Sequence, residues 1–238
     1  MFDDSLLDKF CRTFYGFGNY NGRYWFIGME EAGGESETAV ANRLAQWQTQ
    51  GMPETEDLVV HATGLGWAGN YFGKRPKNQP TWNKLIRIIL SAEGNNPVTL
   101  NKVKQFQRTA LGRQESDNCL LELFPLPSPS TNKWIYAEYS NLPYLSDRKA
   151  YRSHLAELRV AYLRHKIEEY RPKMVVFYGW RYKDWWRKVA NVSFEQNDEE
   201  KFLVGKNSDT TFFITKHPTA QGVTMDYFHH VGQIMMER

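Results

Sequence analysis

Four short apolar runs, rich in β-branched and aromatic residues, constrain most strongly what this chain can fold into. They cover residues 24–29, 119–124, 174–179 and 211–216. In each run the apolar residues are nearly continuous, whereas a strand with one face in water would alternate apolar and polar residues. We therefore predict four strands, covered on both faces, at the centre of a layered domain.

Helical patterns separate these strands. Residues 81–91 and 146–170 carry apolar side chains at spacings of three and four. Further helices are predicted at 180–189 and 225–236. Strands that alternate with helices are typical of a parallel sheet with right-handed crossovers. The pattern predicts one α/β domain over residues 1–238, with three α/β/α layers around a central, mostly parallel four-stranded sheet.

The composition argues against several classes of protein. No apolar run approaches the roughly 18 residues that span a bilayer, and the first residues lack the pattern of a secretory signal. The two cysteines can supply neither a disulfide framework nor the four thiolates of an iron–sulfur cluster. Because no histidine or cysteine spacing is typical of a metal site, we expect neither a metal nor a cofactor. We predict a cytoplasmic monomer.

Two other segments have an unusual composition. Residues 51–80 are rich in glycine, proline and asparagine without periodicity, so we predict a long loop of the kind that often carries function. Six basic residues lie on the helix predicted at 146–170: Arg148, Lys149, Arg152, Arg159, Arg164 and Lys166. We expect them to form a solvated helix face, and the alternative is a contact with DNA. The formal net charge of +3 neither requires nor forbids nucleic-acid binding, because a local basic patch is sufficient.

Acids, hydroxyls and a histidine follow the predicted strands. The first strand leads into Glu30 and Glu31. The second leads into the loop 125–131, which contains serine, threonine and proline, and the fourth leads into His217. Open parallel sheets bind ligands beyond the carboxyl ends of their strands. These side chains are therefore expected to meet at one edge of the sheet.

A carboxylate and a histidine at one sheet edge suit the cleavage of an N-glycosidic bond. Breaking that bond creates positive charge on the sugar and negative charge on the departing base. A carboxylate can stabilise the sugar cation or position water, as in sugar hydrolysis generally, and a histidine can donate to the base. Taken singly, Glu30 and Glu31 could be loop acids or helix-terminal charges. A lone histidine is most often structural, but His217 directly follows a strand and is fixed by Pro218.

Three segments, in this order, resemble the signatures of the uracil-DNA glycosylase superfamily. Residues 28–34 resemble its glycine–acid–proline–glycine loop after the first strand. Residues 120–125 resemble its strand with a base-reading asparagine, and residues 217–219 its histidine–proline–serine loop. Residues 172–179 resemble the strand before that last loop, so the likeness extends over residues 24–238. The resemblance implies an enzyme that extrudes a base from DNA and hydrolyses its glycosidic bond, leaving an abasic site.

The chain departs from the superfamily pattern in its first and second motifs. The first loop lacks the proline of the family. Glu30 lies two residues after Gly28, where several branches place an acid or an amide, so we prefer it to Glu31 as the catalytic acid. At the position of the base-reading asparagine this chain has Glu122.

Glu122 predicts a change of substrate. An amide donates and accepts hydrogen bonds, which suits uracil. An ionised carboxylate only accepts, so it would repel O4 of uracil and suit the amino group of cytosine. The alternatives are that Glu122 points elsewhere or forms a structural ion pair. Because ordinary cytosine must be spared, we expect the pocket to demand an extra substituent, such as those on the modified cytosines of phage DNA.

The resemblance assigns further residues by role. Gly28 belongs to the base pocket, and Trp67 and Phe72 are the predicted stacking walls for the extruded base. Tyr71 and Trp82 are the other aromatic residues of that stretch. The residues predicted to contact DNA are Ser128, Ser130, Thr219, Gln221, Lys74 and Arg75. No lysine has the setting of a Schiff-base nucleophile, so we do not expect strand cleavage.

The sequence thus predicts a monofunctional DNA glycosylase for a modified or damaged base, acting in repair or in antiviral defence. One alternative is ordinary uracil repair, and another is a catalytically inactive member that binds DNA or nucleotides. A third is a different α/β hydrolase of free nucleotides or nucleosides. The absence of G-x-x-x-x-G-K-[ST] and G-x-S-x-G motifs removes the commonest versions of the last.

Overall fold

The computed structural model describes residues 1–130, 132–197 and 202–236, so Thr131 of the hydroxyl-rich loop lies outside the described part. The strands are β1 (Gly16–Gly18), β2 (Tyr24–Glu30), β3 (Thr55–Glu56), β4 (Asn118–Phe124), β5 (Met174–Tyr178), β6 (Phe194–Asn197), β7 (Phe202–Lys206) and β8 (Thr211–Thr215). The helices are α1 (Asp4–Thr13), α2 (Glu37–Thr49), α3 (Leu58–Gly64), α4 (Ala68–Phe72), α5 (Pro80–Ala92), α6 (Leu100–Thr109), α7 (Tyr136–Tyr139), α8 (Arg148–Tyr170), α9 (Lys183–Ala190) and α10 (Met225–Met236). Short 3-10 helices cover Pro143–Leu145 and Trp180–Tyr182.

The strands of the described ranges form one mixed sheet in the order β3-β1-β4-β2-β5-β8-β7-β6. The four strands predicted from the sequence are its contiguous centre, β4-β2-β5-β8, and they run parallel to one another. The prediction of a four-stranded, mostly parallel sheet is nevertheless wrong. At one edge β1 pairs antiparallel with β4, and β3 pairs parallel with β1. At the other edge β7 and β6 are added in antiparallel pairs. The domain is therefore α/β with a mixed eight-stranded sheet.

Three of the four strands that the sequence interpretation missed, β1, β3 and β6, carry little local signal, whereas β7 begins with the buried apolar run Phe202–Val204 and was overlooked. Both β1 and β3 are shorter than the usual five or so residues of a strand. In β1, Gly16 and Gly18 have φ angles of 144° and 105°, and a β-carbon on either would overlap the backbone of β4. Glycine is therefore needed for this close pairing, and it gives the strand no apolar pattern. The first strand of the other edge hairpin, β6, is mostly polar.

Both faces of the sheet are buried, as the continuous apolar strands predicted. Along β2, Trp25 and Ile27 belong to one core cluster, whereas Tyr24 and Phe26 belong to another. The first cluster takes buried side chains from α1, α2 and α8. The second takes them from α5 and α10. The sheet is thereby fixed on both sides, which leaves its strand ends as the place for a site.

The segment 51–80 is not the long loop that its composition predicted. It contains β3, α3 and α4, and α5 begins at Pro80. Asp57 caps α3, because its carboxylate accepts hydrogen bonds from the backbone N–H groups of Val59 and Val60 at 2.9 and 3.1 Å. Helices this short show no clear apolar periodicity, so the sequence pattern could not reveal them.

The basic residues of α8 do not form the predicted solvated face. Arg159 is fully buried, and its guanidinium donates hydrogen bonds to backbone carbonyls that include those of Cys11 and Phe14. Arg148 and Arg152 form ion pairs at the end of β2. Of the six basic residues only Lys149 is exposed. The prediction was wrong because spacing shows which residues share a helix face, but not what that face packs against.

The cysteines of the described ranges do not form a reactive site. Cys11 and Cys119 are free and buried, and burial raises the pKa of both thiols, which makes them poor nucleophiles. In the same ranges no three His, Cys, Asp or Glu side chains are grouped as metal ligands. None of the helices described is both long and apolar enough to cross a membrane.

Candidate active site

Polar side chains gather where the central parallel strands end. Glu30 is the last residue of β2, Tyr178 is the last of β5, and Glu122 lies two residues before the end of β4. His217 follows β8 by two residues. In the register of the sheet, Gly28 pairs with Glu122. The structure thus brings the predicted acid, base reader and histidine to one edge of the sheet.

Two cavities open at this edge. One of them, which we name the aromatic cavity, has a volume of about 630 Å³ and lies against Trp67, Trp82 and Glu122. The other, which we name the basic cleft, has a volume of about 680 Å³ and lies against Arg148 and Arg152. Five residues line both cavities and form their shared wall: Glu30, Glu31, Ala32, Tyr178 and His217. A molecule that filled both cavities would cross the two glutamates and the histidine.

Aromatic side chains from the end of the segment 51–80 and from α5 line the aromatic cavity. They are Trp67, Tyr71 and Trp82. The ring centroids of Tyr71 and Trp82 lie 5.4 Å apart, and those of Trp67 and Trp82 lie 6.4 Å apart. Phe72, which was also predicted as a wall, is not a lining residue but stacks on Trp82 at 5.7 Å. Such flat apolar surfaces suit the stacking of a planar ring.

Glu122 lines the aromatic cavity and is bound by Tyr178. The Tyr178 hydroxyl donates to Glu122 Oε1 at 2.8 Å, whereas Glu122 Oε2 is buried without a partner among the described residues. Gly28 lies beside both groups, and a β-carbon there would overlap the Tyr178 hydroxyl and Glu122 Oε2. The absence of a side chain at Gly28 therefore permits this contact.

The environment of Glu122 changes its charge. Burial raises the pKa of the Glu122 carboxyl to about 8, the hydrogen bond from Tyr178 opposes this shift, and the charges of Glu31 and Glu30 add to it. At neutral pH the group is therefore mainly protonated. This corrects the expectation of an ionised carboxylate that only accepts hydrogen bonds, because the protonated group can donate from Oε2 and accept at Oε1.

The basic cleft combines cationic, hydroxyl and aromatic side chains. Its lining includes Arg148, Arg152, Arg181, Lys216, Ser128, Ser130, Thr219, Trp180 and Tyr182. Guanidinium and hydroxyl groups are common ligands of phosphate, and aromatic faces pack on sugars and bases. The three hydroxyl residues that the resemblance assigned to DNA contacts thus lie in this cleft.

Arg148 ties the hydroxyl-rich loop to α8. Its Nη2 donates to Ser128 Oγ at 2.7 Å and to the carbonyl oxygens of Ser130 and Lys133 at 2.9 and 2.7 Å. The Ser128 Oγ lies 2.9 Å from each of the same two carbonyl oxygens, so its one hydrogen can be donated to either of them. Ser128 therefore shapes the loop, whereas the Ser130 side chain is exposed and available to a ligand.

The two glutamates of the shared wall have different partners. Glu30, with 8% of its side chain exposed, is bound by Arg148 through one oxygen and by Arg152 through the other. Glu31, with 30% exposed, pairs with Arg43 through Oε2. Its Oε1 makes no hydrogen bond within the part of the chain that the structure describes. Glu31 therefore has an open carboxylate oxygen at the shared wall, and Glu30 has both oxygens engaged.

His217 is held in one tautomer by the turn that follows it. His217 Nδ1 lies 2.9 Å from Thr219 Oγ1 and accepts from the backbone N–H of Thr219 at 3.2 Å. Because the backbone N–H can only donate, the neutral ring carries its proton on Nε2. The Lys84 ammonium donates to the carbonyls of Pro218 and Val223 and thereby fixes this turn. Desolvation in the cavity wall and the charge of Lys84 both lower the pKa of His217. At neutral pH His217 is therefore a neutral donor through Nε2.

Some predicted residues lie away from the two cavities, and some residues of the site were missed. Lys74, Arg75 and Gln221 are exposed and line neither cavity. Tyr178 was missed, although it ends a predicted strand and the strand-end argument could have found it. Arg43 was missed because it comes from α2, a helix that the sequence interpretation did not identify.

A scan of the sequence against protein-family models and a search of curated proteins both find no match.

Proposed function

We propose that this protein is a monofunctional DNA glycosylase, which extrudes a modified or damaged base and hydrolyses its bond to deoxyribose. The observation that supports the proposal is the wall that the two cavities share. An extruded nucleotide needs an aromatic pocket for its base beside a basic, polar surface for its phosphates. The aromatic cavity and the basic cleft offer these two environments, and the glycosidic bond would lie between them, against the glutamates and His217.

The proposed reaction uses the groups of the shared wall. Water adds to C1′ of deoxyribose while the bond from C1′ to the base breaks, and the bonding electrons leave with the base. The Nε2–H of His217 donates to the base and stabilises its developing negative charge. The glutamates stabilise the positive charge on the sugar, and Oε1 of Glu31 accepts a proton from the water. The products are the free base and an abasic site.

No lysine of the described site is suited to cleave the DNA strand through a Schiff base. Burial lowers the pKa of Lys84, but its ammonium is engaged by two backbone carbonyls and it lines neither cavity. Lys216 lines the basic cleft and lies over the ring of Tyr227, with its Nζ 5.5 Å from the ring centroid. We therefore expect hydrolysis of the glycosidic bond without cleavage of the DNA strand.

Glu122 and the size of the aromatic cavity favour a modified cytosine as the base. A protonated carboxyl group at Glu122 offers one donor and one acceptor, which match N3 and the amino group of cytosine. Proton transfer to N3 would neutralise the departing cytosine, whereas N3 of uracil already carries a hydrogen. The aromatic cavity, of about 630 Å³, leaves room beside a pyrimidine ring for an additional substituent. Removal of such a base from phage DNA would serve antiviral defence.

Oligonucleotides that carry single modified bases test this function. The protein is incubated with duplex and single-stranded substrates, each of which carries one test base: uracil, hypoxanthine, xanthine, 5-hydroxymethylcytosine or its glucosylated form. Each reaction is then divided and treated with or without alkali. We expect strand breaks at one or more of the bases, and only after alkali. Breaks without alkali would contradict a monofunctional mechanism. DNA binding without release of any base would instead indicate an inactive binding protein, and release from free nucleosides alone would indicate a nucleoside hydrolase.

Glutamine substitutions separate the roles of the two glutamates. We expect Glu31→Gln to lower single-turnover base release by about 100-fold at unchanged DNA affinity, because it removes the open carboxylate oxygen. Glu30→Gln should also change DNA affinity and its salt dependence, because Arg148 and Arg152 lose the anion that holds them in the cleft. Both variants are compared at a temperature at which circular dichroism shows them folded. Loss of activity in Glu30→Gln alone, at unchanged affinity, would instead make Glu30 the catalytic acid, as its spacing after Gly28 predicts.

A methyl group at Gly28 should disturb the pair formed by Glu122 and Tyr178. We expect Gly28→Ala to slow single-turnover base release by about 10-fold, because the added β-carbon displaces the Tyr178 hydroxyl from the Glu122 carboxyl. Gly69→Ala is the matched control, since a β-carbon on Gly69 meets no atom within 4 Å. Equal rates for the two variants would show that the pair does not act in the reaction.

A further inference from the structure

A buried pair of a carboxylate and an imidazole lies at the aromatic cavity, outside the shared wall. His61 Nδ1 and Glu56 Oε2 are 2.7 Å apart, and the two side chains are 1% and 2% exposed. His61 lines the cavity together with Phe17, Leu58 and Trp67. Neither His61 Nε2 nor Glu56 Oε1 has a hydrogen-bond partner among the described residues.

These unpartnered atoms leave hydrogen-bonding capacity beside the cavity. Buried polar groups are nearly always hydrogen-bonded, because leaving one without a partner costs folding free energy. The contact between Glu56 and His61 connects β3 to α3, but it uses only one polar atom of each side chain. Arg43 Nε, on the same cavity, is also buried without a partner. The aromatic cavity therefore has unused polar capacity on the side of His61 in addition to Glu122.

The register of the sheet separates this pair from Glu122. Glu56 pairs with Phe17, and Phe17 pairs with Leu120, which lies two residues before Glu122 and on the same face of β4. Two strand spacings and two residues along a strand correspond to about 12 Å between the α-carbons of Glu56 and Glu122. A base held at Glu122 would therefore need a substituent to approach His61.

The chemistry of the pair suits a hydroxyl group. A hydroxyl both donates and accepts, so it can bind Nε2 of His61 whichever role that nitrogen takes. The ring of Trp67, centred 6.3 Å from the ring of His61, offers an apolar surface for the carbon atoms that carry the hydroxyl. We propose that His61, held by Glu56, forms a binding subsite for a hydroxyl-bearing substituent on the extruded base. This subsite rests on the proposed function and narrows its substrate.

A double variant tests the subsite without leaving a buried charge unpaired. Replacing both partners by apolar side chains of similar shape, Glu56→Leu with His61→Phe, is expected to keep the fold. The two substrates are duplexes with glucosylated 5-hydroxymethylcytosine or with a cytosine that carries a hydrocarbon group of similar size at the same ring position. We expect the wild-type protein to release the hydroxyl-bearing base faster. The double variant should lower this preference by about 10- to 100-fold, at an unchanged rate for the hydrocarbon substrate.

Different results would overturn the subsite and the proposed function. An unchanged preference in the folded double variant would make the pair a structural contact only. If the wild-type protein releases no base, the proposed glycosylase function is contradicted. The subsite is then tested by equilibrium binding: the affinities of the wild-type protein and the double variant for the two duplexes are compared. If the double variant does not fold, Glu56→Gln with His61→Phe takes its place, because it leaves no buried charge unpaired and removes both imidazole nitrogens. The same loss of preference is expected.

Discussion

Replacing His217 with alanine is expected to lower the rate of base release by about two to three orders of magnitude, the usual cost of removing one transition-state donor. The expectation rests on the tautomer, because the Thr219 N–H at Nδ1 leaves the proton on Nε2. The lowered pKa of His217 keeps the ring neutral near pH 7, so the donor needs no change of charge before it acts. The charge that it stabilises forms only as the glycosidic bond breaks, so substrate binding should be unaffected.

Single-turnover kinetics with saturating protein measure this effect on the chemical step. His165→Ala is the matched control, because His165 lies on α8 with 69% of its side chain exposed and lines neither cavity. The control should keep the wild-type rate, and both variants should bind DNA as the wild-type protein does. A His217→Ala rate within about threefold of wild type would remove His217 from the mechanism.

The centre of the fold could be predicted from the sequence because its signal is local. A strand buried on both faces must be apolar along its whole length, and β2, β4, β5 and β8 were identified on that basis. Among the outer strands, β1, β3 and β6 lack such an apolar run, whereas the short buried run of β7 was overlooked. Gly16 and Gly18 are needed because the backbone of β4 lies too close for a side chain. This requirement comes from tertiary contact, so it produces no apolar pattern in the sequence. The sequence therefore predicted the core of the sheet but not its width.

The site was predictable where a residue follows a strand, and not where a helix supplies it. The strand-end rule pointed to Glu30, Glu31 and His217 before any distance was known. Arg43 and His61 reach the same region from α2 and α3, and nothing in their local sequence indicates a cavity. Their roles depend on long-range packing, which becomes visible only in three dimensions.

The protonation of Glu122 is the clearest case in which the sequence was insufficient. Its position near the end of an apolar strand showed that a carboxyl group would need an explanation, but not how deeply it is buried. The structure places Oε2 out of contact with solvent and raises the pKa of Glu122 to about 8. A residue that was interpreted as a negative acceptor is therefore a neutral acid at pH 7, and the proposed chemistry changes with it.

Glu122→Gln is expected to lower release of a modified cytosine by about 100-fold or more, within the range that general acid catalysis contributes. Glutamine still presents an acceptor and a donor to the base, so DNA affinity should not change, but it cannot transfer a proton to N3. The pH dependence gives a second readout. Below about pH 8 Glu122 holds the proton that it donates, and above that pH the proton is lost, so the wild-type rate should fall as pH rises through about 8. Glu122→Gln should lack this decrease, and a wild-type rate independent of pH from 6 to 9 would contradict the assigned role.

Under the proposed function, the same proton also predicts which base is released. Glu122 can protonate N3 of a cytosine derivative as it departs, whereas uracil has no free electron pair there, and its oxygens must carry the charge. The wild-type protein should therefore release a modified cytosine in preference to uracil. Glu122→Asn presents the amide that the uracil-DNA glycosylase superfamily uses, so it should shift the preference towards uracil. Rates of release are compared on matched duplexes that differ only in the target base. Efficient release of uracil by the wild-type protein, with no activity on any cytosine derivative, would contradict this assignment. The aromatic cavity would then belong to an ordinary uracil repair enzyme.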